Sequence, residues 1–149
     1  CVVGWSYGGY VALTSAFQKP NSYKCIVSIA GISDVHMLAE EGNRKRSALT
    51  EFMREAIGDV DNEEEKSKLK AASAINFIKN IKAPLLLIHG QNDTQVHYGQ
   101  SADFYVAADD ADLDIEYLEF ETGTHYLDEN SNRLEAFEAI EKFLQEHLN

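Results

Sequence analysis

Two short, almost wholly apolar runs restrict the fold more than any other feature of this chain: Lys24 to Ala30 (KCIVSIA) and Leu85 to Gly90 (LLLIHG). A strand that is apolar on both faces is buried on both, which indicates a parallel sheet covered by helices above and below. The segments between the runs read as helices. Gly8 to Phe17 is small and apolar and is stopped by Lys19-Pro20. Leu49, Phe52, Met53, Ala56 and Ile57 recur at helical spacing before Gly58. Asp61 to Ala72 has an acidic first turn and a charged, solvated surface. Tyr98 to Ala108 reads as a helix and Ile115 to Phe120 as a strand. A last helix, Arg133 to Leu148, is expected to start from Asn132 as N-cap with Glu135 closing a capping box. Its apolar stripe would be Leu134, Phe137, Ile140, Leu144 and Leu148. The expected fold class is α/β, a parallel sheet of about four strands with helices on both faces. At 149 residues and 44% hydrophobic content, one domain has enough apolar material for a core.

The turn between the first strand and the first helix carries the chemistry. Gly4-Trp5-Ser6-Tyr7-Gly8 is a G-x-S-x-G sequence, in which the chain reverses sharply from strand into helix and presents the serine at the apex. Gly4 and Gly8 are expected where a Cβ would collide with the neighbouring strand or helix. Two further residues stand just past strand ends: Asp93, in His89-Gly90-Gln91-Asn92-Asp93, and His125, in Gly123-Thr124-His125. Functional groups of open parallel sheets collect at the carboxyl ends of strands, and all three positions obey that rule. The chain order Ser, Asp, His is that of α/β-hydrolases. His125 would activate the Ser6 hydroxyl, Asp93 would fix the imidazole tautomer, and the Tyr7 backbone N–H would serve as one oxyanion donor. His97 is the rival base on the same rim.

Other signals exclude function classes. Twenty-five acidic against thirteen basic residues give a net charge of −12, which repels nucleic acid and anionic membranes. No apolar run approaches the roughly 18 residues of a membrane span. Asp110, Asp112, Asp114 and Glu121 mimic calcium-loop spacing, but the required glycine position is Ile115. His89, His97 and His125 lack zinc-ligand spacing, so no metal and no cofactor is expected. Asn92-Asp93-Thr94 fits a glycosylation sequon only by placing a glycan on the proposed acid loop. Cys1 and Cys25 would lie on neighbouring strands; bridges across a buried parallel ladder are uncommon, and both read as small core residues.

The segments GWSYGGY, SIAGISD, INFIKNIKAPLLLIHGQNDTQVHYGQS and GTHYLDENSNRLEAFEAIEKFLQEHL together resemble the catalytic domain of the prolyl oligopeptidase family of serine peptidases. The resemblance is to the dipeptidyl- and acylaminoacyl-peptidase branches, which carry Tyr after the nucleophile. It implies Ser6, Asp93 and His125 as the catalytic triad, a short-peptide substrate and an acyl-enzyme route. It also implies that Ile32, Val35 and Leu38 line the first specificity pocket. A carboxylesterase and a non-catalytic truncated hydrolase are the alternatives. Two departures stand out: His97 follows Val96 where the family has Pro, and Thr122-Gly123-Thr124-His125-Tyr126 replaces an acid-Gly-His-Gly turn. The second bears on the mobility of the His125 loop.

Only Cys1-Val2-Val3 precede the turn, fewer than the about five or six residues of a typical strand. The chain is therefore expected to begin within a domain, and the family resemblance implies that it is the C-terminal portion of an eight-stranded hydrolase domain, with upstream strands and a β-propeller outside it. A sheet edge left open at Val2 and Val3 recruits another chain. The expectation is a homodimer joined through Cys1 to Val3 and the helix from Gly8 to Phe17. The compartment stays open.

Overall fold

A computed structural model describes residues 1–44, 51 and 54–148. Among the described residues, β1 (Val2–Trp5), β2 (Ile26–Ile29), β3 (Leu85–Gly90) and β4 (Ile115–Phe120) form one parallel sheet in sequence order. The register is flush: Val2 lies opposite Ile26, Ile26 opposite Leu85, and Leu85 opposite Ile115. The carboxyl ends of all strands therefore open onto one rim. The helices include α1 (Tyr7–Gln18), α2 (Val35–Arg44), α3 (Glu63–Ala71), α4 (Gly99–Asp109) and α5 (Asn130–Leu148), with a 3-10 segment at Ala74–Asn80.

Side-chain alternation sorts each central strand between two cores. Ile26, Leu85 and Leu87 pack beneath Ala12, Leu13 and Ala16 of α1, Ile78 of the 3-10 segment and Phe104 of α4. Val27, Leu86 and Ile88 face the other way, onto Ala136, Ile140 and Phe143 of α5. Every residue of β2 and β3 is buried, as the apolar runs require. Full burial of each large aliphatic side chain stabilises the fold by about 1.5–3 kcal/mol. In α3, the Asn62 side chain accepts from the N–H groups of Glu64 and Glu65, and three glutamates follow in the first turn.

Three expectations need correction. Helix α5 starts at Asn130, so Asn132 lies inside its first turn and is no N-cap. Its docked face is Ala136, Ile140 and Phe143 with Leu144 beside them, so Ile140 and Leu144 of the expected stripe pack on the core, while Leu134, Phe137 and Leu148 are exposed. Both sets have helical spacing, so periodicity alone could not choose between them. Cys1 and Cys25 are joined in a disulfide rather than packed as free thiols, with Cα atoms 4.6 Å apart. Each cysteine immediately precedes its strand, so the bridge ties the ladder at its end, where the pleat does not oppose it. Helix α2 and the 3-10 segment were not anticipated. Asp34 caps α2 by accepting from the N–H groups of His36 and Met37. Of the helix expected around Leu49 to Ile57, Leu49, Phe52 and Met53 lie outside the described residues.

Candidate active site

Ser6 occupies the single residue between β1 and α1, with φ 57° and ψ −119°. A positive φ is disfavoured for a residue with a Cβ, at a cost of about 1–3 kcal/mol. The surroundings impose it. The Ser6 N–H donates to the Ile29 carbonyl at 2.8 Å, and its own carbonyl accepts from the Tyr10 N–H at 3.1 Å. The strand and helix approach so closely that a Cβ on Gly4 would sit 2.0 Å from the Gly8 carbonyl oxygen. The expectation for Gly8 itself is corrected: a Cβ there meets open space. The second crowded position is Gly9, where a Cβ would lie 2.7 Å from the Gly31 Cα and 2.8 Å from the Ser28 Oγ.

Asp93 and His125 arrive at the same rim on the loops after β3 and β4. The two loops are joined backbone to backbone: Gln91 N–H donates to the Phe120 carbonyl and Asn92 N–H to the Gly123 carbonyl, both at 2.9 Å. The His125 ring spans the gap between acid and serine. Its Nδ1 is 2.7 Å from Asp93 Oδ2, and its Nε2 is 3.0 Å from Ser6 Oγ. A third link comes from β1, where the Trp5 indole Nε1 donates to the His125 carbonyl at 3.0 Å. In the departing turn, Thr124 Oγ1 donates to Asp128 Oδ2 at 2.6 Å, which ties the His125 loop internally.

Asp93 is buried, with no exposed side-chain surface. Burial works against its charge, but His89, the Val96 N–H, His125 and the Gln95 N–H donate to it and prevail. The carboxyl is held down at about 2 from an ordinary 3.8. Asp93 is thus an anion at neutral pH, acting as acceptor only. An anion beside Nδ1 keeps a proton on that nitrogen and leaves the Nε2 lone pair for the Ser6 hydroxyl.

His97 is exposed and turned elsewhere: its Nδ1 accepts from the Gly99 N–H at 3.1 Å, and it borders a separate cleft with Asp34 and His36. Tyr7 begins α1, so its N–H has no intrahelical acceptor and stands beside Ser6. Ile32, Val35 and Leu38 share one cavity of about 480 Å³ with the rings of Tyr7 and Tyr10. Among the described residues, no three His, Cys, Asp or Glu side chains are grouped to hold a metal ion. The sequence alone does not single out His89, whose Nε2 lies 3.3 Å from Asp93 Oδ2. The available signal was a lone histidine inside an otherwise apolar strand.

Comparison with known proteins gives the family and the fold. The model of the prolyl oligopeptidase family matches residues 1–149. Dipeptidyl peptidase family member 6 of Caenorhabditis elegans is 29% identical over 99% of this chain, which corresponds to 20% of that protein. Dipeptidyl aminopeptidase BIII of Pseudoxanthomonas mexicana is 29% identical over 99% of this chain and 21% of its own length. The uncomplexed structure of Pyrococcus horikoshii acylaminoacyl peptidase superposes with a TM-score of 0.83 at 29% identity, over 98% of this chain and 23% of that one. The chain thus spans about a fifth of the length of these two relatives. With an α/β-hydrolase sheet, a strained serine at its strand-to-helix turn and a family match over its whole length, this chain belongs to the prolyl oligopeptidase family of serine peptidases.

Proposed function

We propose that Ser6, His125 and Asp93 are the nucleophile, base and orienting acid of a serine-type peptidase that cleaves short peptides through an acyl-enzyme. The observation that carries this reading is the continuous path from Asp93 Oδ2 through His125 to Ser6 Oγ, with steps of 2.7 and 3.0 Å. Ser6 Oγ attacks the scissile carbonyl carbon while its proton passes to His125 Nε2. The imidazolium so formed donates from Nδ1 to Asp93 and then gives its Nε2 proton to the departing amine. Water, deprotonated by the same nitrogen, releases the acyl group.

The negative oxygen of each tetrahedral intermediate would be met by the Tyr7 N–H. In this fold a second donor comes from a loop following another strand. Each such donor is worth roughly 10²–10³ in rate, so turnover by the chain depends strongly on that second N–H being supplied. The cavity formed with Ile32, Val35 and Leu38 opens next to Tyr7 and would receive an apolar side chain preceding the cleaved bond.

The test is covalent labelling with an alkyl fluorophosphonate. Ser6 Oγ bonds to phosphorus, fluoride leaves, and the hydroxyl proton goes to His125. Labelling should be lost in Ser6→Ala and His125→Ala and retained in His97→Ala. Normal labelling of His125→Ala would remove it as the base. Turnover of a peptide anilide against a simple ester separates peptidase from esterase.

A further inference from the structure

A second histidine lies directly behind the acid. His89 is the fifth residue of β3, and its side chain is wholly buried. Its Nε2 lies 3.0 Å from the Val96 carbonyl oxygen and 3.3 Å from Asp93 Oδ2. Both neighbours are acceptors, so Nε2 carries a proton. The other nitrogen, Nδ1, is 2.7 Å from Ser101 Oγ on α4. A neutral ring with its proton on Nε2 has a bare Nδ1, so the Ser101 hydroxyl donates to it. The Val96 carbonyl and Asp93 therefore fix the tautomer of His89, and the Ser101 hydroxyl, which adapts to it, holds the ring in place.

The polar groups around Asp93 form a closed circuit. Val96 N–H and Gln95 N–H donate to Oδ1 at 2.9 and 2.8 Å. Val96 returns its carbonyl to His89 Nε2, and that same N–H reaches Oδ2. Oδ2 is thus shared by two imidazoles, one leading to Ser6 and one leading into the core. The backbone contacts to Oδ1 hold one oxygen of the carboxylate; His89 is a second contact on Oδ2, beside His125 itself, that opposes its rotation out of the His125 plane.

We propose that His89, locked by Ser101, is a positioning residue for the reaction: it orients the Asp93 carboxylate and takes up part of the charge on Oδ2. This rests on the catalytic reading of Ser6, His125 and Asp93. Sharing Oδ2 moderates the pull of the carboxylate on His125. Removing the His89 donor leaves a more basic, less aligned Oδ2, which stabilises protonated His125 and misdirects neutral His125. The titratable groups placed against His125 are Asp93 and the Tyr126 ring, 5.2 Å away centroid to centroid.

The experiment follows the fluorophosphonate labelling rate against pH in the full chain, in parallel with the low-field proton resonance of His125 Nδ1–H. The variants are His89→Leu, His89→Gln and Ser101→Ala. His89→Leu should label about 10–100-fold more slowly at neutral pH, the span of a hydrogen bond to a charged group. Its acid limb should move away from that of the parent, and the low-field resonance should shift. His89→Gln keeps an N–H at the position of Nε2 and should retain the parent acid limb and resonance. Ser101→Ala removes one hydroxyl without emptying the site and should change both in the direction of His89→Leu, by less. A parent acid limb and an unmoved resonance in folded His89→Leu or Ser101→Ala overturn the proposal, as does a His89→Gln chain as impaired as His89→Leu. If His89→Leu does not fold, Ser101→Ala and His89→Gln decide on the same criteria. If the unaltered chain itself does not label, the catalytic reading is what fails, and the resonance still decides whether His89 positions Asp93.

Discussion

Replacing Asp93 by asparagine changes one atom and should inactivate the site. The carboxylate receives four donors: the N–H groups of Gln95 and Val96 on Oδ1, and His125 Nδ1 and His89 Nε2 on Oδ2. An amide offers one acceptor oxygen and one donor nitrogen, so it can serve only half of that set. The backbone N–H groups cannot move, and the amide oxygen will stay with them. The amide nitrogen then faces two ring nitrogens. His125 can accept from it only by giving up its Nδ1 proton and carrying the proton on Nε2, 3.0 Å from Ser6 Oγ. A protonated Nε2 cannot take the serine proton. The expected loss in kcat is about 10⁴, the scale of a wrong-tautomer triad. The stability change should be far smaller, about 1.5–3 kcal/mol for the lost charge-assisted bonds. Fluorophosphonate labelling alongside a thermal melt separates the two effects. A folded Asp93→Asn chain that labels within tenfold of the parent would refute the assignment of Asp93 as orienting acid.

Three further outcomes follow from the structure. Asp93 has its carboxyl depressed to about 2 from 3.8, so its ionisation stabilises the fold fully above pH 4; on the order of 2 kcal/mol should be lost as pH falls from about 4 towards 2. Urea midpoints across that range should show the loss in the parent and not in Asp93→Asn. Reducing the Cys1–Cys25 bridge, which spans 24 residues of sequence, should lower stability by about 3 kcal/mol in the chain-entropy account; an unchanged melting temperature under reductant would contradict it. β1 stands at the sheet edge with Val3, Tyr7 and Val11 exposed, so the chain should sediment as a dimer at micromolar concentration, and a clean 16.7 kDa species would rule that out.

The sequence discloses the parts of this molecule whose causes are local. β3 and β4 have the bounds their residue runs suggest, because alternation and burial act residue by residue along a strand. The meeting of Ser6, Asp93 and His125 was legible because each follows a strand, and a parallel sheet brings strand ends to a common rim. What was missed depends on partners distant in sequence. The docked face of α5 is selected by Val27, Leu86 and Ile88, not by its own periodicity. Helix α2 was legible from local signals too, since Asp34 caps its start and Val35, Leu38 and Ala39 follow at helical spacing. The pairing of Cys1 with Cys25 turns on where each strand begins, and a shift of two residues would have placed it inside the ladder. His89 gains its meaning only when Asp93, Val96 and Ser101 fold around it.

The bond from the Trp5 indole to the His125 carbonyl has an optical consequence. Trp5 is the single tryptophan of the chain, and it adjoins Ser6 on one side while gripping the loop of His125 on the other. Selective excitation of the indole therefore views one place only, the junction between the serine turn and the histidine loop. Light emitted from that ring changes colour and intensity when its N–H exchanges a protein carbonyl for water. The chain thus carries a native fluorophore that can follow the docking of the His125 loop, millisecond by millisecond, with no label attached.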